Sequence, residues 1–448
     1  HPVPSPEGPP APVTWMDRIF RNRSLARPQP HTEASRRWLQ GIDPGSGAAE
    51  MPDPARCLLA IREARTALAH KPDDWRAYRL LSIAYRDLMA QESALMMGLR
   101  LTPGDRAPRG RVEPRPGLLM IRFRQRAAAL NFAIQTIPPP ASATVARERR
   151  ALNGELFQLY LSVDFLDLAR DRLRAALDER DTGKSPPEGD EDAGRGAIAP
   201  DSSPEERARM VRELARLDDR VKQIQQQMDD LTAEQQAGPL QRANLARSQG
   251  APGLALLELE EADRSGINPA LVRPQLLDLY CDTGQPERAV ELLSSGNVED
   301  PALGGEPGVS ALRHGRVYFL LGNYEYAASL WQERAIPQLR FERGARALSA
   351  GRMLVTGETQ TALNTLINIP GKIATQAAWE YDLALCRLES GRPDLAAERF
   401  TRALTLAPTL TVRPIVAYYL EKLGKPVPSA NVEEPKGEEP WGGSSRNR

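Results

Sequence analysis

The sequence predicts an all-α protein built as a stack of helical hairpins. Apolar residues recur with helical spacing from Asp53 onward, and the alternating β-branched pattern of strands is almost absent. Gly and Pro also punctuate the helical segments at a repeat length of about 34 residues. The 448 residues contain 59 basic and 59 acidic side chains, so the net charge is zero. This balance gives no whole-molecule electrostatic reason to bind nucleic acid or membrane.

The two ends of the chain have a different composition. Residues 1–50 are rich in Pro, Ser and Gly, which predicts a flexible arm. Its one apolar cluster either packs on the protein's first helices or docks on a partner; the cluster consists of Trp15, Met16, Ile19 and Phe20. Residues 426–448 are predicted to be a disordered tail. The chain begins with His1 rather than Met, which favours an exported chain, or part of a longer membrane-anchored one, over a cytoplasmic protein.

Residues 51–178 form the first predicted block of hairpins. The back half of one repeat is marked by small and apolar residues that end at a proline: Ala60, Ala64, Ala67, Leu68 and Pro72. The front half of the next repeat follows directly, with Tyr78, Leu81, Ser82 and Tyr85. A third copy has Leu156 and Tyr160 before a turn at Asp164, and then Ala169.

Residues 179–203 interrupt this pattern. They carry Pro, Gly, Ser and acidic residues without an apolar period, so a disordered acidic loop is expected. A heptad helix is predicted over 204–235, because apolar residues alternate by four and three positions along it: Met210, Leu214, Leu217, Val221, Ile224, Met228 and Leu231. Residues 210–231 can pair with a second copy of the chain, pair with a partner helix, or lie along the protein's own hairpins.

Residues 236–425 form the second predicted block. Gly marks each turn, a small residue follows it, and a large residue fills the gap between helices. The marked positions are Tyr280, Gly284, Ala289, Tyr318, Gly322, Ala327, Gly391, Ala396, Phe400 and Pro408, with a weaker copy at Gly357. Small residues let two helices approach closely, and Gly adopts positive φ at low cost. The helix over 411–423 is placed to cap the stack.

These repeats resemble the tetratricopeptide repeat, whose order is a large residue, Leu, Gly, Tyr, then Ala, Phe and Pro. The resemblance covers about two thirds of the chain and implies an α-solenoid with flexible tails and a central heptad helix. Arg387 departs from it, because it occupies the place of the repeat's Tyr. Nearly all basic residues are Arg rather than Lys, which is typical of a bacterial GC-rich genome. In the family, the concave face holds peptides or partner segments.

Catalytic signatures are not found in the sequence. It has no phosphate loop, no GxSxG and no HExxH, and its four His are far apart. The cysteines Cys57, Cys281 and Cys386 are widely spaced and are predicted to be small buried apolar residues. We therefore expect a protein that is not an enzyme and takes no cofactor, metal or small-molecule substrate.

Two groups of Arg are candidate binding residues. Arg76, Arg79 and Arg86 share one side of a helix, where they can clamp an acidic peptide or can simply be solvated charges. The stretch 100–126 holds eight Arg against two acidic residues, and its anion-binding candidates are Arg106, Arg109, Arg111 and Arg115. A basic loop between repeats is the competing interpretation of this stretch.

The sequence thus predicts a non-catalytic scaffold or adaptor that presents a groove to other proteins in a larger assembly. An anion-binding module using residues 100–126 is the alternative from another functional class, and nucleic acid and membrane partners are disfavoured. A third alternative is an accessory region of a longer polypeptide. The fold does not identify the partner, because tetratricopeptide arrays carry many functions.

Overall fold

The computed structural model describes residues 31–40, 53–96, 120–140, 142–178, 204–235, 237–294, 307–335, 377–408, 410 and 412–429. Every regular element in these ranges is a helix. The first block contains α1 (His31–Gln40), α2 (Asp53–His70), α3 (Trp75–Met96), α4 (Met120–Thr136), α5 (Ala143–Leu161) and α6 (Leu166–Asp178). The long helix α7 (Pro204–Gln235) follows.

The second block continues the same pattern. It contains α8 (Pro239–Ser248), α9 (Pro252–Arg264), α10 (Pro269–Asp282), α11 (Pro286–Ser294), α12 (Pro307–Leu320) and α13 (Tyr324–Ser329), which runs into a π-helical turn (Leu330–Ala335). After these come α14 (377–389), α15 (Pro393–Leu406) and α16 (Arg413–Lys422). Helices adjacent in sequence pack on each other, which confirms the predicted all-α stack of helical hairpins.

The hairpin turns share one backbone feature. A residue with positive φ stands at each of five turns: Asp164, Gly250, Gly284, Gly322 and Gly391. At Gly284 the requirement is also steric, because a Cβ atom there would lie 2.6 Å from the carbonyl carbon of Ala127. Asp tolerates this conformation better than most side chains, so it can replace Gly at the first-block turn. Both blocks therefore contain turns with positive φ at these five predicted positions.

The small and large residues predicted to define the repeats lie where hairpins must pack. Those with almost no exposed surface are Leu81, Tyr85, Tyr160, Ala169, Tyr280, Gly284, Ala289, Ala327, Ala396 and Phe400. Tyr78, Tyr318, Gly322, Gly391 and Pro408 are half-buried at the edges of the same core. The tyrosine and phenylalanine rings also meet across helices, as where Phe400 stacks on Tyr419 with ring centres 5.5 Å apart. These contacts bury the faces that a single hairpin would leave open.

The N-terminal arm and the heptad helix differ from, or add to, what the sequence predicts. The arm 1–50 contains a helix, α1, whose Ala34 and Ser35 are buried and whose Ser35 hydroxyl donates to the carbonyl of Ala60 at 2.8 Å. The apolar stripe of α7 packs on α6 and α8, and it is buried at Leu217, Val221, Ile224 and Met228. Of the three alternatives for residues 210–231, the structure thus shows packing along the protein's own hairpins.

Several predictions fall on residues outside the described ranges. These are the apolar cluster at 15–20, the four anion-binding candidates Arg106, Arg109, Arg111 and Arg115, the acidic loop 179–203, the weak repeat at Gly357, and the tail beyond residue 429. Among the helices that the structure does describe, none has both the length and the apolar character that crossing a bilayer requires.

Candidate functional site

The central helix α4 joins the two blocks. It contacts α3 and α5 of the first block and α10 and α12 of the second. A stack in which each hairpin touched only its neighbours would not bring these helices together. The residues that form this join, here called the seam, therefore decide how the two blocks are held relative to each other.

On one side of the seam, helices of the second block end in carbonyl groups that have no donor within their own helix. Asn131 of α4 donates from Nδ2 to the carbonyls of Thr283 and Gly284 at 3.1 and 2.9 Å, just after α10. The hydroxyl of Tyr160 donates to the Thr283 carbonyl at 2.6 Å. Each donor comes from the first block, so the C-terminal end of α10 is capped by a distant part of the chain.

The next helix of the second block is capped in the same way. Arg65 of α2 donates to the carbonyls of Leu320 and Leu321, at 3.2 and 3.3 Å, where α12 ends. A positive charge at a helix C-terminus is favourable because the helix dipole is negative there. Gly322 has a positive φ of +82°, a conformation that Gly adopts at low cost, and the Arg65 guanidinium lies against this turn.

Helix α9 is held at its other end. Asp167 of α6 is 2% exposed, and its Oδ2 accepts the backbone N–H of Leu254 at 2.7 Å. The backbone N–H of Leu166 donates to the Gly250 carbonyl at 2.7 Å in the preceding turn. Burial raises the pKa of Asp167 to about 6, against the effect of its two backbone hydrogen bonds.

A buried ionic network lies deeper in the seam. Arg122 of α4 is fully buried and donates to Glu92 of α3, with an Nη2–Oε1 distance of 3.0 Å. It also forms an ion pair with Glu389 of α14, and Gln125 donates to both carboxylate oxygens of Glu389 at 3.1 Å. Burial alone would lower the pKa of Arg122, but the two carboxylates outweigh it and raise that pKa well above its usual value.

Three tyrosines extend this network. Tyr419 of α16 donates to Glu92 at 3.0 Å, and Tyr324 of α13 donates to Glu389 at 2.9 Å. Tyr85 of α3 lies at the limit of hydrogen-bond distance from Glu389, at 3.5 Å. Burial raises the pKa of Tyr324 well above its usual value, and the Glu389 carboxylate adds to this effect. Burial also raises the pKa of Tyr85 and of Tyr419, so all three hydroxyls remain protonated and can donate hydrogen bonds at neutral pH.

An open cleft of about 310 Å³ lies beside the network, between α2 and two turns of the second block. Polar residues of its lining include Arg62, Arg65, Asn323, Tyr324, Glu389 and Ser390. Arg62 lies against Gly391 as Arg65 lies against Gly322, so two hairpin turns of the second block each receive a guanidinium group. Arg65 and Glu389 of this cleft already form hydrogen bonds within the seam.

The candidate arginines of α3 have three different surroundings. Arg76 is exposed, with its guanidinium 5.4 Å from the ring centre of the preceding tryptophan. Arg79 forms an ion pair with Glu148 of α5, and its side chain is 19% exposed. Arg86 pairs with the carboxylate of the next residue, with 3.1 Å between Nε and Oδ1. The structure therefore does not bring them together as a row of free charges, and a partner-binding role stays a prediction.

The basic stretch 100–126 carries less free charge than its sequence suggests. Its last three arginines lie on α4 and are partnered: Arg122 as above, Arg124 with Asp282 at 2.6 Å and Arg126 with Glu155 at 3.5 Å. Every one of these carboxylates lies outside the stretch, so counting charges within it overestimated the positive surplus. The sequence offered one signal for Glu389: Leu385 and Cys386 precede it by four and three positions, which places it on an apolar helix face.

No group of three or more His, Cys, Asp or Glu in the part of the chain that the structure describes is placed to hold a metal ion. Cys57, Cys281 and Cys386 are buried, as predicted. Burial raises the pKa of each thiol, that of Cys281 to about 12, so these thiols are protonated at neutral pH.

Comparison with known proteins adds little to this description. The sequence matches no known protein-family profile and no curated protein. Seventeen chains of known structure match, among them the crystal structure of the TPR domain of P58(IPK). That chain is 13% identical, with 88% of each chain covered and a TM-score of 0.23. A TM-score this low supports no conclusion, and the hairpin fold follows from the helix pairs themselves.

Proposed function

We propose that the protein is a non-catalytic scaffold that holds partner proteins on the outer faces of its helical hairpins. The observation that carries this proposal is the seam. Buried groups from α2, α4 and α6 fix the ends of second-block helices, and the Arg122 network ties α3, α4, α14 and α16 together. A join of this kind keeps outward surfaces of both blocks at fixed separations, which is what a scaffold requires.

The distribution of charge supports the same function. Charged side chains inside the seam are matched, since Arg122 and Arg65 face Glu92 and Glu389 within a connected set of hydrogen bonds. The charges left over are on outer faces, where they are available to partners. Arg76 and Arg86 remain proposed partner-binding residues on α3, while the charge of Arg79 is compensated by its ion pair with Glu148.

The test is affinity capture of the full chain from a lysate of the source organism, with cross-linking and mass spectrometry. The proposal expects at least one protein in a fixed ratio to the chain, cross-linked to outer helix faces. An Arg76→Ala/Arg86→Ala variant should capture less of any partner that cross-links to α3, and Arg247→Ala/Arg264→Ala is the matched control. Isolation of the chain without any stoichiometric protein would contradict the scaffold function.

A further inference from the structure

The long helix α7 has two unlike faces. Its apolar stripe packs on α6 and α8, which leaves the rest of the helix surface exposed. Four exposed arginines lie along one flank of this exposed surface at spacings of three, four and four residues: Arg209, Arg212, Arg216 and Arg220. Because a helix rises 1.5 Å per residue, these four guanidinium groups extend over about 16 Å on one side of the helix. We call them the basic face.

The basic face differs from most arginines of this protein in having little carboxylate partnership. Within the described residues Arg209 and Arg212 form no ion pair. Arg216 is 82% exposed and reaches Glu213 only at 3.9 Å. Arg220 donates to the amide oxygens of Gln223 and Gln249 at 3.3 and 3.1 Å. Arginines on other helices pair more closely with carboxylates, including Arg122, Arg124, Arg242, Arg273 and Arg313.

We propose that the basic face docks an acidic protein segment whose Asp or Glu side chains recur about once per helical turn. This inference rests on the proposed scaffold function and names the chemistry of one partner. Guanidinium groups bind carboxylates through two parallel hydrogen bonds, and a spacing of about 5–6 Å between arginines matches carboxylates three or four residues apart on a helix.

The neighbouring surface favours a protein partner over nucleic acid. A narrow apolar strip borders the basic face, formed by Ala208, Val211 and Ala215, and Val211 is 51% exposed. Aliphatic side chains of a partner helix can cover this strip while its carboxylates reach the arginines. Single-stranded nucleic acid is held by stacking on aromatic rings, and α7 contains no aromatic residue.

The experiment measures binding of the full chain to labelled synthetic peptides by fluorescence anisotropy at low and moderate salt. The probe is an alanine-based helical peptide with glutamate at every fourth position. Its controls are the same peptide with glutamine and a peptide with equally many glutamates at every second position. A dT20 oligonucleotide and vesicles containing phosphatidylserine serve as the competing anionic probes.

The decisive variant replaces Arg209, Arg212, Arg216 and Arg220 by Gln. A matched variant makes the same change in net charge at four exposed arginines outside α7: Arg36, Arg247, Arg264 and Arg392. The proposal expects the first variant to lose about tenfold or more in affinity for the glutamate peptide, and the matched variant to lose less than about twofold. Moderate salt should weaken the binding, since these charges are exposed.

Val211→Glu supplies a second readout. It places a negative charge in the apolar strip, and it should lower the affinity for the glutamate peptide at least as much as the loss of one arginine does. Equal losses in the two quadruple variants, equal binding of the two glutamate spacings, or tighter binding of dT20 or the vesicles would each overturn the proposal. If proteins captured from the lysate all persist with the basic face removed, this inference fails while the scaffold function stands.

Discussion

Helices α4 and α7 are both rich in arginine, yet their arginines have opposite surroundings. Arg122 of α4 is fully buried between Glu92 of the preceding helix and Glu389, which is 267 positions away in sequence. Arg212 of α7 is exposed and has no ion pair among the described residues. The residue type is therefore uninformative by itself, and the position of each helix relative to the seam decides whether its charge is structural or available to a partner.

The largest effect expected from this comparison is on stability. Arg122→Met should lower the free energy of unfolding by about 3–5 kcal/mol, because it leaves the buried Glu92 and Glu389 without their cation. The matched change Arg212→Met should alter it by less than about 0.5 kcal/mol, because that side chain is exposed. Chemical denaturation of both variants measures the difference. Similar losses in the two variants would contradict the distinction between α4 and α7.

A pair of glycines tests whether the blocks really approach as closely as the seam requires. Gly284→Ala places a Cβ atom 2.6–2.7 Å from the backbone of α4, in addition to the strain of positive φ, so we expect a loss of about 3 kcal/mol. Gly266 has a similar φ of +68° but nothing within 4 Å of the added atom. Gly266→Ala should therefore lose only about 1–2 kcal/mol.

Thermal or chemical unfolding of the two glycine variants gives the comparison directly. The excess loss in Gly284→Ala reports the contact between α10 and α4. Equal losses would mean that the two blocks are farther apart in solution than the seam allows.

The smallest expected effect is a pH dependence at Asp167. Its pKa in the folded state is raised to about 6 by burial, against an ordinary value of 3.8. Between these two values the folded protein keeps the proton and the unfolded chain does not, so this group's contribution to stability falls as pH rises through that window. The total change is about 2–3 kcal/mol.

Asp167→Asn should remove this contribution. The stability of the natural protein relative to the variant is expected to decrease from pH 4 to pH 7, measured by denaturation at several pH values. A relative stability that stays constant or increases over this window would show that the carboxyl group is not buried at the start of α9.

Much of the fold could be predicted from the sequence, because hairpins are local. Glycine turns such as Gly284 and small residues such as Ala289 follow a short pattern that depends on neighbouring helices only. The seam could not be predicted in this way. Arg122 and Glu389 are 267 positions apart, and nothing in either segment specifies the other. For the same reason the Arg-rich stretch 100–126 looks like a surface patch in the sequence. Its last three arginines form ion pairs with carboxylates that lie outside the stretch.

The central claim is that a buried ion pair joins the two blocks, and a double-mutant cycle tests it most directly. The free energies of unfolding of Arg122→Met, Glu389→Met and the double variant are compared with that of the natural protein. We predict a coupling energy of about 1–3 kcal/mol between the two positions. The same cycle with Arg212 in place of Arg122 should be additive. Additivity within about 0.5 kcal/mol for Arg122 and Glu389 would contradict the account.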